Sequence, residues 1–391
     1  MCIFIYAQTV LKFKLISSLI QQAMKPLTSV QVLSLVFTFF SSFIVSCQKD
    51  IISVNEAAFV VKENVLAHDE NITFHGRIDF SNPQSPKLFW PGSGFTLWFE
   101  GTSIEVILDD LEGSNYYNAI IDDDFSKRTI IKCIKGTTPY VISNNLTPGV
   151  HKLQLLRRTD STTPETIFKG VNISQGGKII SPQEQQPELK IEFYGDSITS
   201  GHGNLDETRE NNNDRSTWDN YQSYASMIAR ELNADLRCVS MSGIGVMVSW
   251  YPLTMPQVYD RINPNSEIPK NDFTQWQPDI VVVNLLQNDD WLIHTLSPIP
   301  DTNARIASYT DFITSIRNKY EYATIICTLG NMNITRSGSP WPEVVQAAVD
   351  RLDDPKIYFT VMPYKNTGGH PTVSEHREMA DILIPFIQSK M

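Results

Sequence analysis

The second half of the chain, from residue 189 to the C-terminus, alternates short apolar runs with stretches of helical period. That alternation restricts the fold more than any other feature of the sequence. Runs of strand length occur at 191–194, 236–241, 280–286, 324–329 and 357–361. Helical patterns fall among them at 221–232, 306–320, 342–352 and 372–387; in the first, Tyr224, Ile228 and Leu232 recur every four residues. Strands joined through helices pair in parallel, and a parallel sheet must be covered on both faces. Ligands of such sheets bind at the carboxyl ends of the strands. Those ends are where chemistry is expected.

The first half has a different period. Between 71 and 180 the runs are short and alternating: Phe95-Thr96-Leu97-Trp98-Phe99, a turn at Gly101-Thr102-Ser103, then Ile104-Glu105-Val106-Ile107-Leu108. Pro148-Gly149 leads into another such run, His151-Lys152-Leu153-Gln154-Leu155. Many short strands with turn residues between them and no helical stretch predict an all-β sandwich over 71–180. The Pro- and Gln-rich segment 181–188 reads as a linker to a second domain over 189–391.

The N-terminus reads as a targeting segment. The apolar stretch 27–45 is about the minimum for spanning a bilayer, which takes roughly 20 residues, and no basic cluster follows it, only Gln48-Lys49-Asp50. Its end, Ile44-Val45-Ser46-Cys47, resembles a bacterial lipobox. We therefore expect residues 1–46 to be a signal peptide, with Met24-Lys25 as the more natural start, and Cys47 to carry a lipid. Residues 47–70 would form a tether. The protein would cross the inner membrane and stay anchored to the cell envelope or surface, touching the membrane only through that anchor. Three further cysteines, Cys133, Cys238 and Cys327, make an odd count without metal-ligand spacing, so packing rather than disulfides must hold the fold. A formal charge of −11 argues against nucleic acid as a partner.

Four features lie just past the strands of the second half: Gly195-Asp196-Ser197, Ser242-Gly243, Asn288-Asp289, and Gly368-Gly369-His370-Pro371 ahead of the last helix. These are the parts of acyl transfer. A serine at a strand-to-helix turn stands exposed above the sheet. A histidine from a distant loop can take its proton and return it to the leaving oxygen. A glycine N–H and an asparagine amide can stabilise the oxyanion. Each alone also fits an ordinary turn or cap; their order at successive strand ends carries the functional reading.

On these blocks the second half resembles the SGNH/GDSL hydrolase superfamily. The resemblance implies a flavodoxin-like α/β/α domain with a five-stranded parallel sheet, Ser197 as nucleophile and His370 as base, and an oxyanion hole from Ser197, Gly243 and Asn288. In the first half, Gly76-Arg77, Phe89-Trp90-Pro91-Gly92-Ser93-Gly94 and Phe99-Glu100-Gly101-Thr102-Ser103-Ile104 resemble the jelly roll of carbohydrate esterase family 2, as do Gly149-Val150-His151 and Phe168-Lys169-Gly170-Val171. That family removes acetyl groups from plant polysaccharides such as xylan and glucomannan, or from 6-O-acetyl sugars. It implies an acetylated polysaccharide or oligosaccharide as partner, and no metal or organic cofactor.

Two positions depart from the pattern. Leu286 stands where the Asn block usually has Gly, so the loop is expected to adopt a conformation open to a residue with a Cβ. Thr367 stands where the family's acid usually precedes the histidine by three. Some members work with a Ser–His dyad whose ring is oriented by a backbone carbonyl, and a dyad is expected here. His202 is a weaker base candidate and a better pocket-lining one; Trp218 and Trp291 are candidates for stacking on a sugar. Asp109-Asp110 and Asp122-Asp123-Asp124 lack calcium-ligand spacing and read as solvated loops, and His376 as structural. Rival functions are a lipase, thioesterase or arylesterase of the GDSL type, and a non-catalytic sugar-binding surface lipoprotein.

Overall fold

Two six-stranded antiparallel sheets built by residues 63–180 precede a five-stranded parallel sheet in the computed structural model, which describes residues 62–210 and 213–391. The apolar stretch 27–45 and Cys47 lie outside the described residues. Among those described, no helix is long and apolar enough to cross a membrane.

Both β-sheets of the sandwich take their core from alternate residues. In Gly94–Glu100 and Val150–Arg157, which pair antiparallel, Phe95, Leu97 and Phe99 meet Leu153 and Leu155 in one buried cluster. Ile104, Val106 and Leu108 reach the same cluster from the opposing sheet, joined by Phe168, Val171 and Ile173. Cys133 is buried here, and Cys238 and Cys327 in the second half; all three are free thiols. Asp110 corrects one expectation. It is 1% exposed and accepts the N–H groups of Gly113 and Ser114 and the Asn115 amide, so it closes a turn inside the protein.

The parallel sheet runs Ala234–Ser240, Leu189–Gly195, Ile280–Asn284, Thr324–Leu329, Ile357–Val361, a 2-1-3-4-5 order, as in flavodoxin-like folds. Its middle strand is apolar up to its last residue because both faces are covered: Ile280, Val281, Val282 and Val283 are all 2% exposed or less. Helices Thr302–Arg317 and Trp341–Leu352 cover one face; Tyr224–Glu231 and Val373–Gln388 cover the other. Residues 181–188 carry no regular element, and 61–391 form one compact unit.

The sandwich and the α/β half share a core. Phe89 and Trp90 of the sandwich pack with Tyr194, Val239 and Val258, and the Trp90 indole donates to the Ile262 carbonyl at 2.8 Å. Arg77 crosses the same boundary to pair with Glu192 at 2.9 Å, both side chains fully buried. Glu192 lies in the strand whose end carries the Gly-Asp-Ser turn.

Candidate active site

The register of the parallel sheet sets the site. Gly195 pairs with Ser240 on one side and Asn284 on the other, so the turns following three strands open at one level. Gly195 has no room for a side chain, since a Cβ would lie 2.0 Å from the Thr199 hydroxyl. The chain can therefore turn directly into the short helix Ser197–Ser200, with Asp196 capping it by accepting the Ile198 N–H at 2.9 Å. Asp196 is pushed up to about 7 by burial, against the Ile198 N–H and with the nearby Asp289 charge adding to the rise.

Ser197, 5% exposed, stands 2.9 Å through its Oγ from Nε2 of His370. Burial foremost, then the neighbouring His202, Lys365 and His376, holds the His370 pKa well below the ordinary imidazole value. The ring is therefore neutral and ready to accept a proton at neutral pH. Lys365 fastens the loop that carries it, donating to the Thr367 and Gly368 carbonyls at 3.0 and 2.9 Å. The Thr367 hydroxyl donates to Glu375 Oε1 at 2.5 Å. Glu375 also receives Arg209 and the Thr372 N–H that begins the last helix. Where the superfamily pattern has an acid, this chain has a hydroxyl engaged by Glu375.

His202 lies against His370, the rings tilted at 38° with centroids 4.4 Å apart, and its Nδ1 meets the Ser242 hydroxyl at 2.9 Å. It lines the site beside the His370–Ser197 contact. Gly243 follows with φ +84°; a Cβ there would press on Tyr251 at 3.2 Å and Trp250 at 3.4 Å, so the tight turn under these rings favours glycine. Asn288, 2% exposed, is oriented from both ends of its amide: Nδ2 donates to the Ile244 carbonyl at 2.8 Å and Oδ1 accepts the Trp250 indole N–H at 3.1 Å. An unbroken set of contacts thus joins Ser197, His370, His202, Ser242–Gly243, Trp250 and Asn288.

Two family descriptions match the chain: Carbohydrate esterase 2 N-terminal over residues 74–182, and GDSL-like Lipase/Acylhydrolase over 193–355. A solved family two carbohydrate esterase from Clostridium thermocellum, in complex with cellohexaose, is similar at 31% identity and a TM-score of 0.74, covering 82% of this chain and 98% of that one. The chain belongs to carbohydrate esterase family 2. That places it among carboxylic ester hydrolases. It is also 32% identical over 333 residues to the cellulase/esterase CelE of Acetivibrio thermocellus, covering 82% of this chain and 39% of that protein, and so spans about two fifths of that relative's length. An acetylxylan esterase / glucomannan deacetylase of Cellvibrio japonicus is 23% identical over 336 residues, 84% of this chain and 91% of the relative.

Within this family 2 esterase, the remaining sequence candidates fall in different places. Trp218 is buried at 5% exposure with its ring against His202, centroids 4.0 Å apart, so that face backs the site. Trp291 is half-buried and packs against the core on the far side of the sheet from Trp341 and Phe312. Leu286 corrects a second expectation. It takes φ +78°, the left-handed conformation that favours glycine, while its side chain is 1% exposed in the core. Burial of the leucyl group holds a backbone geometry that its Cβ disfavours. His376 is fully buried and accepts the Tyr224 N–H at 3.2 Å. No metal-holding cluster of His, Cys, Asp or Glu occurs among the described residues.

Sequence reasoning missed three contributors. Asp289 accepts the N–H groups of Val246, Met247 and Val248 at 2.9, 2.6 and 3.2 Å, holding the loop that follows Gly243; its position directly after Asn288 was the available signal. Burial pushes this carboxyl up to about 6 against those three donors. Trp250 is 63% exposed at the mouth of the site, and nothing in its run marks it locally. Asp160 enters from the sandwich, 82 residues away from the backbone N–H it holds.

Proposed function

We propose that this esterase removes O-acetyl groups from plant-type polysaccharides or oligosaccharides, such as xylan, glucomannan and 6-O-acetyl sugars, through a serine acyl-enzyme. The observation that carries the reading is the 2.9 Å contact between Ser197 Oγ and a neutral His370 Nε2. Ser197 attacks the acetyl carbonyl as its proton passes to Nε2. The resulting oxyanion is held by the N–H groups of Ser197 and Gly243 and by the Asn288 amide, each donor worth about 3–4 kcal/mol in comparable hydrolases. His370 then protonates the departing sugar oxygen, water enters by the same base, and acetate leaves. Trp250, exposed beside Asn288, offers an aromatic face to the sugar that bears the ester. The name of the Cellvibrio relative and the cellohexaose bound to the Clostridium structure support a carbohydrate carrier.

The test is acetate release from acetylated xylan and glucomannan, set beside hydrolysis of medium-chain acyl esters. Ser197→Ala and His370→Ala should each lower turnover by at least about a thousandfold. Unchanged activity in His370→Ala refutes the dyad. Failure of a fluorophosphonate to label Ser197 favours the non-catalytic, sugar-binding alternative. We also infer lipid anchoring through Cys47, which the Ile-Val-Ser-Cys run supports; Cys47→Ser should move the protein from the membrane to the soluble fraction.

A further inference from the structure

We propose that Asp160, carried by the sandwich, is a positioning residue for the oxyanion site; the inference rests on the esterase reading above. The segment that follows strand Val150–Arg157 leaves the sandwich and lies against the wall of the site. Arg158 donates to the carbonyls of Trp218 and Ser216 at 3.0 and 2.9 Å, and the Ser161 hydroxyl donates to the Ser240 carbonyl at 3.1 Å. Between them Asp160, 1% exposed, accepts the Ser242 N–H with Oδ2 at 2.8 Å.

Its other oxygen accepts the Thr162 N–H at 2.9 Å, so the carboxylate is itself held in place. Arg157, fully buried, donates to the Asp160 carbonyl at 3.2 Å and fixes the turn from below.

The peptide that links Ser242 to Gly243 is what this arrangement orients. Its carbonyl belongs to Ser242 and accepts the Tyr251 hydroxyl at 3.1 Å; its N–H belongs to Gly243 and is the proposed oxyanion donor. A planar peptide has its C=O and N–H pointing opposite ways. Tyr251 holds the C=O of this peptide and Asp160 holds the Ser242 N–H, which belongs to the peptide before it; pinning Ser242 on both sides in this way fixes the direction of the Gly243 N–H. The Ser242 side chain adds a third tie, to His202 at 2.9 Å. An oxyanion donor is effective only if it is aimed before the charge develops, and Gly243, lacking a side chain and at positive φ, cannot aim itself. A carboxylate from the sandwich supplies the restraint, which gives that half of the protein a part in catalysis.

Asp160→Ala should lower kcat on an acetyl ester by about 10–50-fold with KM within about twofold. It should slow fluorophosphonate labelling of Ser197 by a similar factor. Asp160→Asn, whose amide oxygen can still accept the Ser242 N–H, should return kcat to within about threefold of the parent. Because Asp160 also closes its own turn, Tyr251→Phe serves as a second variant, releasing Ser242 on its carbonyl side without touching the sandwich; it too should lower kcat with KM unchanged. The proposal is overturned if folded Asp160→Ala keeps kcat within twofold of the parent. It is equally overturned if both Asp160 variants lose kcat, KM and melting temperature together while Tyr251→Phe retains full kcat. A parent protein that releases no acetate would overturn the esterase reading instead, so the two failures are distinguishable.

Discussion

Replacing Arg77 with Met deprives Glu192 of its cation at the boundary between the two halves. Arg77 Nε and Nη2 reach Glu192 Oε1 at 3.2 and 2.9 Å, and Nη2 also donates to the Tyr194 hydroxyl at 2.8 Å. Nη1 donates to the carbonyls of Tyr259 and Arg261. Both ionised side chains are fully buried. Removing one member of such a pair costs about 3–5 kcal/mol, mostly because the other charge is left in a poorly solvating interior. Glu192 retains the hydroxyls of Tyr194 and Tyr320 at 2.7 and 2.6 Å, which places Arg77→Met near the lower figure. For a unit of about 330 residues, an unfolding entropy of about 0.7 kcal/mol/K turns 3 kcal/mol into a melting-point loss of about 4 °C. Urea unfolding followed by tryptophan fluorescence, with a parallel thermal melt, measures both. The double variant Arg77→Met/Glu192→Gln should recover at least about 1 kcal/mol relative to the sum of the single losses, since neither buried charge remains alone. A single-variant loss under about 1 kcal/mol, or strict additivity, would refute the argument that this pair joins the halves.

Three further outcomes follow from particular residues. His376 is held near pKa 3 by burial, below the 6.5 of an unfolded chain. The stability tied to its neutral form is present above pH 6.5 and is lost as pH falls toward 3, at up to about 1.4 kcal/mol per unit. His376→Gln should therefore lose about 2 kcal/mol less than the parent between pH 7 and 5, and an identical slope would show that the residue does not titrate on unfolding. Leu286→Gly should relieve about 1–2 kcal/mol of left-handed strain but forfeit a buried side chain worth about 2–5 kcal/mol. A net loss in urea unfolding is expected, and a gain would mean that the strain outweighs the packing. Thr367→Asp should leave kcat within about threefold, because the new carboxylate would face Lys365 and Glu375; a rise of several-fold would show that a missing acid limits turnover.

Much of the architecture was legible because periodicity is local. The alternation of 280–286 with 306–320 and 324–329 predicts strand, helix, strand, and Ile280–Asn284, Thr302–Arg317 and Thr324–Leu329 are found there. The four blocks at the strand ends were legible for the same reason, since each is a short run of small or polar residues where an apolar strand stops. Leu286 was misjudged because a left-handed residue leaves no trace in pattern when a leucine occupies it. Asp110 was misjudged because a buried carboxylate with five donors and a solvated one look alike in a row of letters.

The amino-acid order alone determined a sandwich followed by a parallel α/β sheet, and which side chains stand at the rim of that sheet. Tertiary structure decided the partners: His370 with Ser197 across 173 residues, Asp160 with Ser242 across 82, Thr367 with Glu375. It also decided which aromatic stayed open to solvent, Trp250 rather than Trp218. Local spacing governs which conformation a segment prefers. The partner of a polar group and the water left around it depend on how distant segments pack, and a linear pattern does not encode that.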